Sequence, residues 1–200
     1  HMTGGIVQSF KKYYYPFLPK QVEETTYSLS GGVSNTVVHD YHYNGSGYLV
    51  RHTTTGSNGV PVSSMALYPE DFPAGTIFLD DMKNNNLLKF PIERVKYNET
   101  NGTKYILSGQ IVKYKESGKG QIDEVMDMEN PGKIPMTNFK FSNRSTGILP
   151  PAGSSTGFSP DSKYHANLII DSYDDAGNPN EQHKVNDISH SFIWDYHSRY

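Results

Sequence analysis

Short runs in which hydrophobic and polar residues alternate cover most of this chain, and glycine- and asparagine-rich turns separate them. Residues 37–43 and 48–54 flank the sequence Asn-Gly-Ser-Gly, and residues 93–98 and 103–108 flank a turn centred on Asn101-Gly102. A period of two residues is typical of strands, and Asn-Gly turns between such runs indicate hairpins. The pattern therefore predicts antiparallel strands joined as hairpins.

A last strand pair is predicted for residues 164–173 and 188–196, which both alternate. Helical spacing of apolar residues is limited to two short segments, residues 81–88 and 121–128. Many short strands with turns at short intervals are typical of barrels and sandwiches. We therefore expect a mainly β fold, an antiparallel β-barrel or β-sandwich built from hairpins, with one or two short helices.

The chain has 200 residues, which is enough for one domain with a sizeable core. Residues 1–20 contain Pro16 and Pro19, which prevent a helix there, so we expect an extended N-terminal arm. The first two residues, His1-Met2, are typical of a cloning scar. Residues 21–200 are predicted to form a single β domain.

The first hairpin allows its strand register to be derived. An even number of loop residues at 44–47 would place the flanking tyrosines opposite each other and fix every pair beyond them. On the other face Asp40 would meet Arg51, an opposite-charge pair expected to face solvent. The aromatic and β-branched face is then expected to point inward, and its pairs are Tyr43 with Tyr48, Tyr41 with Val50, and His39 with His52.

The last predicted strand carries the same kind of face, since His190, Trp194 and Tyr196 alternate onto one side of it. If both faces line one cavity, His39, His52 and His190 could meet, and they are the candidate catalytic residues. Histidines in an apolar pocket can act as general acids or bases, can bind zinc when three converge, or can simply be hydrogen-bonded core residues. No catalytic role is assigned, and whether the protein is an enzyme stays open. The candidate ligand-binding residues are Tyr41, Tyr43, Tyr48, Trp194 and Tyr196.

The loop over residues 171–181 is rich in aspartate and asparagine, as calcium-binding loops are. Its candidate ligands would be Asp171, Asp174 and Asp175, but Gly177 comes one position too late for the EF-hand pattern. The chain has no cysteine, which excludes disulfides and cysteine-based zinc sites. We assign no metal site and expect no cofactor.

Charge and hydropathy limit the classes of partner that the chain is expected to bind. The formal net charge of −3 gives no basic surface for nucleic acid, and no apolar run is long enough for a transmembrane helix. Tyrosine is abundant, with 15 copies against 9 phenylalanines and 1 tryptophan. Because tyrosine combines an apolar ring with a polar tip, it suits strands and ligand-facing surfaces.

The leading hypothesis is a non-catalytic β domain that binds a small molecule or a glycan on an aromatic and histidine-lined face. One alternative is a cofactor-independent β-barrel isomerase, cyclase or lyase with histidine and tyrosine acid–base residues in an apolar cavity. A second alternative is a structural or surface interaction module, such as an envelope, adhesin or virion component. Exposed strand edges would allow a homo-oligomer, and a secreted or cell-surface location is favoured.

Overall fold

The computed structural model describes residues 18–27, 33–129, 132–150 and 154–194. Strands hold 47% of these residues and helices 8%, which confirms the predicted mainly β fold. The predicted arm over residues 1–20 lies mostly outside the described residues. Its last residues run beside the second strand, where the Tyr41 N–H donates to the Lys20 carbonyl at 2.9 Å.

One antiparallel sheet contains all eleven strands of the described residues. It does not close, because its two edge strands, the first and the last in the chain, do not pair with each other in this part of the chain. Each strand pairs with the next in the chain, except that β7 pairs with β9 and the short β8 pairs with β6. The strands are β1 (Gln21–Tyr27), β2 (Val33–Tyr43), β3 (Leu49–Thr55), β4 (Pro61–Leu67), β5 (Glu93–Thr100), β6 (Thr103–Tyr114), β7 (Ile122–Met128), β8 (Ile134–Pro135), β9 (Tyr164–Tyr173), β10 (Pro179–Lys184) and β11 (His190–Ser191).

Most of the hydrophobic core covers one face of the central strands, and Tyr114, with the partly buried Phe90, Val112 and Ile122, extends it at the β6–β7 hairpin. Helix α1 (Ile77–Asn84), the 3₁₀ turns Pro69–Asp71 and Met136–Asn138, and the loop that contains Phe139 and Phe141 supply the other half of this core. The buried cluster contains residues of β4, β5, β6, β7, β8 and β9 but none of β1, β2, β3, β10 or β11. The two ends of the sheet therefore extend beyond the core that stabilises its centre.

The structure corrects two predicted elements. Residues 121–128 were predicted as a helix, but they form β7, because hydrogen bonding to both β6 and β9 outweighs a weak helical spacing. The partner of β9 is β10, not residues 188–196, of which only His190–Ser191 is a strand among the described residues. The predicted helix over 81–88 overlaps α1, which begins earlier.

The register of the first hairpin also differs from the prediction. The turn has three residues between Asn44 and Tyr48, and the Asn44 N–H donates to the Tyr48 carbonyl at 3.0 Å. Gly47 takes the left-handed conformation, with φ +83°, and a bulge follows next to Tyr43. Three-residue loops of this kind usually contain a left-handed glycine and a bulge. The turn and the bulge each move the register by one residue in the same direction. A total shift of two residues leaves each side chain on its predicted face, but the observed pairs are Tyr41 with His52 and His39 with Thr54.

Candidate ligand-binding face

The face of the sheet opposite the core is the candidate site, and we call it the open face. Arg51 and Thr53 of β3 lie opposite Met65 and the buried Ser63 of β4, so the charged side of the first hairpin points toward the core side. His52 lies opposite Ser64, an exposed residue, on the other side. The prediction that the histidine face points inward is therefore wrong, since alternation alone does not show which side another layer covers.

Strand pairing orders the open face into rows that run across the sheet. The first, which we call the polar row, consists of Tyr41, His52, Ser64, Lys96 and Ser108 on β2 to β6. The second, the charged row, consists of Ala66, Arg94, Gln110, Asp127 and His165 on β4, β5, β6, β7 and β9. The third, the apolar row, consists of Val112, Val125 and Leu168 on β6, β7 and β9.

Two cavities lie on the open face. The first has a volume of about 540 Å³, and its lining includes the polar row from His52 to Ser108 and the charged row from Ala66 to Asp127. The second has a volume of about 560 Å³ and is lined by the apolar row together with Phe90, Tyr114 and Ile122. Arg94, Gln110 and Asp127 line both cavities. The charged row thus forms the boundary between a polar cavity and an apolar one.

The charged row contains one carboxylate whose two oxygens accept hydrogen bonds from neutral amides and one cation without a counter-ion. Gln110 and Asn167 donate to the two oxygens of Asp127 at 3.0 and 2.5 Å. In the described part of the chain no carboxylate pairs with the guanidinium of Arg94 or the ammonium of Lys96. Asp127 lies two strands from Arg94, with Gln110 between them, and the two side chains form no ion pair.

The predicted closeness of His39 and His52 is confirmed. The His39 Nδ1 and His52 Nε2 atoms are 3.1 Å apart, and the rings are nearly parallel, with their centroids 5.3 Å apart. One of these two nitrogens must be unprotonated to accept the hydrogen bond from the other, so the two rings cannot both be cations in this arrangement. The Thr54 hydroxyl lies 3.3 and 3.4 Å from the same two nitrogens and supports the pair.

Of the predicted aromatic residues, Tyr41 joins this group, because its ring stacks on His52 with centroids 4.7 Å apart. Tyr48 packs against Tyr68, which lines the first cavity, at 5.2 Å. Tyr43 lines a separate cavity of about 280 Å³. The structure thus places Tyr41 and Tyr48 near the first cavity and Tyr43 outside it.

The predicted meeting of His190 with the other two histidines is wrong. β3 and β11 are seven strands apart in the sheet order, or about 34 Å at the usual strand spacing. His190 and Phe192 instead line a separate cavity of about 380 Å³. Trp194, which the alternation places on a face of the kind expected to point inward, is 45% exposed, and its Nε1–H donates to the Pro179 carbonyl at 2.7 Å. Tyr196 lies outside the described residues.

Two of the three candidate metal ligands of the aspartate-rich loop, Asp171 and Asp174, form local structural contacts. Asp171 is 2.8 Å from His183 Nδ1 across the β9–β10 pair, and Asp174 accepts the Asn178 N–H at 2.8 Å in the connecting turn. Asp175 is exposed in the same turn. Over the described ranges no group of three or more histidine or acidic residues could hold a metal ion.

Sequence reasoning missed four polar residues that line the first cavity, Arg94, Lys96, Ser108 and Gln110. A signal was present, because Arg94 and Lys96 are two residues apart on one predicted strand and so share a face. The second strand of that hairpin carries a bulge between its pairs with Lys96 and Tyr97, which sequence alone did not reveal.

Comparison with known proteins gives no family for this chain. No protein-family model matches the sequence, and no curated protein shows significant similarity to it. Among the helices of the described residues, none is long and apolar enough to span a bilayer.

Proposed function

We propose that this protein is a non-catalytic binding domain that holds a small molecule or a glycan on the open face of its sheet. The observation that carries the proposal is the cavity of about 540 Å³ lined by the polar and charged rows. Its volume falls in the range of about 300–1,000 Å³ that is usual for small-ligand sites.

The chemistry of this cavity favours recognition of a polar ligand. Hydroxyl, amide, imidazole and cationic groups of Ser64, Ser108, Gln110, His52 and Lys96 line it, so both donors and acceptors are available. These groups stand on paired strands rather than on loops, and rigid elements hold binding groups with little loss of entropy on binding. Tyr41, stacked on His52, adds an aromatic ring at one end of the polar row.

We favour binding over catalysis because the enzyme hypothesis required an enclosed apolar cavity around its histidines. The sheet of the described residues is open, and His52 lines a polar cavity. A site open to water does not provide the desolvation that such acid–base chemistry needs.

The test is to block the first cavity with a bulky side chain on one of the strands that line it. Ser108 is exposed on β6, so Ser108→Phe should place a ring in the cavity without disturbing the core. Thr103→Phe, at the exposed start of the same strand, is the matched control. Thermal shift and calorimetry would be run with neutral oligosaccharides, acidic oligosaccharides and small organic acids.

We expect at least one class of ligand to raise the Tm of the natural sequence and of the control but not of Ser108→Phe. A ligand at about 100 times its Kd stabilises a protein by about 2.7 kcal/mol, which is a measurable shift. Equal binding to Ser108→Phe, or no binding by any compound, would reject the open face as the site.

A further inference from the structure

We propose that the ligand of the open face is an amphipathic carboxylic acid whose carboxylate binds Arg94 and whose apolar body lies on the apolar row. This inference rests on the proposed binding function and names the class of ligand. It follows from the position of Arg94, which lines both the polar and the apolar cavity.

Arg94 offers a charge that nothing in the described part of the chain neutralises. Its backbone partners across the sheet are Ala66 and Gln110, and neither is charged. The nearest carboxylate in the charged row is Asp127, two strands away, whose oxygens already accept hydrogen bonds from Gln110 and Asn167. A guanidinium in this setting can form two parallel hydrogen bonds with an incoming carboxylate.

The field of Arg94 extends to both sides of the boundary. Burial raises the pKa of the Tyr114 hydroxyl to about 12, and the positive charge of Arg94 opposes that rise. Burial likewise raises the pKa of Tyr68, and Arg94 opposes that rise as well. Tyr68 lines the polar cavity and Tyr114 the apolar one, so the guanidinium lies within electrostatic reach of both.

The apolar row gives the ligand body its place. Val112, Val125 and Leu168 are half-buried on adjacent strands, and Phe90 and Ile122 flank them in the same cavity. From β5, which carries Arg94, to β9, which carries Leu168, the sheet advances by three strands, about 14 Å at the usual spacing. An apolar chain of about this length would cover the row while its head group stays at Arg94.

The charges on this face favour a single negative charge. Lys96 lines the first cavity and Lys184 the second, so both add positive charge to the site. Neither lysine pairs with a carboxylate in the described ranges. Asp127, however, lines both cavities beside the proposed head-group position and would repel a dianion more strongly than a monoanion. We therefore commit to a carboxylate head and make a phosphate head an outcome of the test.

The experiment measures decanoate binding by calorimetry at concentrations where it is monomeric, beside decanol, decyl phosphate and octyl glucoside. The variants are Arg94→Gln, which keeps hydrogen-bonding capacity but removes the charge, and Val125→Thr, which keeps the shape but adds a hydroxyl. Lys119→Gln, in an exposed turn, is the control for the loss of one positive charge.

We expect decanoate to bind the natural sequence more tightly than decanol does, with affinity that falls as salt rises. Arg94→Gln should weaken decanoate binding by about tenfold or more, because a charge-assisted pair is lost, and should leave decanol binding unchanged. Val125→Thr should weaken both compounds, and Lys119→Gln neither.

Decanoate binding no tighter than decanol, or unchanged by Arg94→Gln, would overturn the inference, and tighter binding of decyl phosphate would overturn the carboxylate head. In each of these cases the proposed function stands if a ligand is still lost with Ser108→Phe. If no compound binds, or if every compound that binds does so equally well to Ser108→Phe, the proposed function fails together with the inference.

Discussion

Glu93 is a buried carboxyl group that joins the sheet to the loop covering its core. Only 1% of it is exposed, yet three donors reach its carboxyl group. The Tyr164 hydroxyl donates to Oε1 at 2.7 Å, and the N–H and hydroxyl of Ser142 donate to Oε2 at 2.7 and 2.6 Å. One side chain of β5 thus joins β9 and the loop that covers the core.

Two substitutions of Glu93 should separate the contribution of its hydrogen bonds to stability from the contribution of its charge. Glu93→Gln keeps the shape, an acceptor for Ser142 and a group that can meet the Tyr164 hydroxyl, so it should change stability little at pH 4, where the raised pKa keeps the Glu93 carboxyl neutral. Glu93→Leu leaves those donors buried without an acceptor and should cost about 3 kcal/mol or more in the free energy of unfolding. Urea denaturation of the three proteins measures the difference, and equal stability of the Leu and Gln variants would show that the network does not contribute.

The pH dependence of stability should also originate at Glu93. Burial raises the pKa of this carboxyl above its ordinary value of 4.5, although the bonds from Ser142 and Tyr164 lower it in part. A group with a raised folded pKa contributes stability that is fully present below the unfolded pKa, and this stability is lost as pH rises through the folded pKa.

Each unit by which the folded pKa exceeds the unfolded one corresponds to about 1.4 kcal/mol. Unfolding free energies measured from pH 4 to pH 8 should therefore fall for the natural sequence relative to Glu93→Gln. A constant difference between the two proteins across this range would contradict the raised pKa.

At the scale of elements, two hairpin turns share one construction. In each turn, the side-chain oxygen of an Asn or Asp accepts a hydrogen bond from the backbone N–H of the residue four positions later. The residue just before that donor is a glycine in the left-handed conformation. Asn44 accepts the Tyr48 N–H at 2.8 Å with Gly47 at φ +83°, and Asp174 accepts the Asn178 N–H at 2.8 Å with Gly177 at φ +90°. The turn that sets the register beside the histidine pair is therefore a repeated local solution.

Two glycines of the first turn provide a matched test. Gly47→Ala puts a side chain on a left-handed residue and should cost about 1–2 kcal/mol. Gly45→Ala meets no atom within 4 Å and has no left-handed backbone, so it should be neutral or slightly stabilising. Thermal denaturation gives both values, and an equal loss in the two variants would show that the left-handed conformation does not matter.

At the scale of the whole molecule, the core stabilises the sheet unevenly. The buried cluster underlies the central strands, whereas β1 to β3 and β10 to β11 have no residue in it. Amides of β5 and β6 should therefore exchange with solvent most slowly, and those of β1, β2, β10 and β11 most quickly. Hydrogen exchange followed by mass spectrometry tests this expectation, and uniform protection across the sheet would contradict it.

The sequence predicted the class of fold because alternation and turn residues are local signals, as in the hairpin of β5 and β6. It did not predict which face is covered, since that depends on α1 and on the loop around Phe139, which lie far from the first hairpin in the chain. The predicted partner of His39 was wrong by two residues, His52 instead of Thr54, because a left-handed Gly47 and a bulge do not change the hydrophobic pattern. The alternating pattern places Trp194 on one face together with other aromatic residues, which favours an inward position. The buried cluster, however, contains no residue of β10 or β11, so Trp194 stays partly exposed.

The order of strands has a consequence for how the chain folds as it is synthesised. From β1 to β7 every strand pairs with the one made just before it, so this half of the sheet can assemble from contacts that are short-range along the chain. Tyr164, however, follows Glu93 by 71 residues, and Ser142 follows it by 49. A nascent chain that ends before β9 would lack Tyr164, which donates to Oε1 of the Glu93 carboxyl group and belongs to the buried cluster. Completion of the core should therefore wait for β9, and ribosome-bound chains that end before and after Tyr164 should differ sharply in protease resistance.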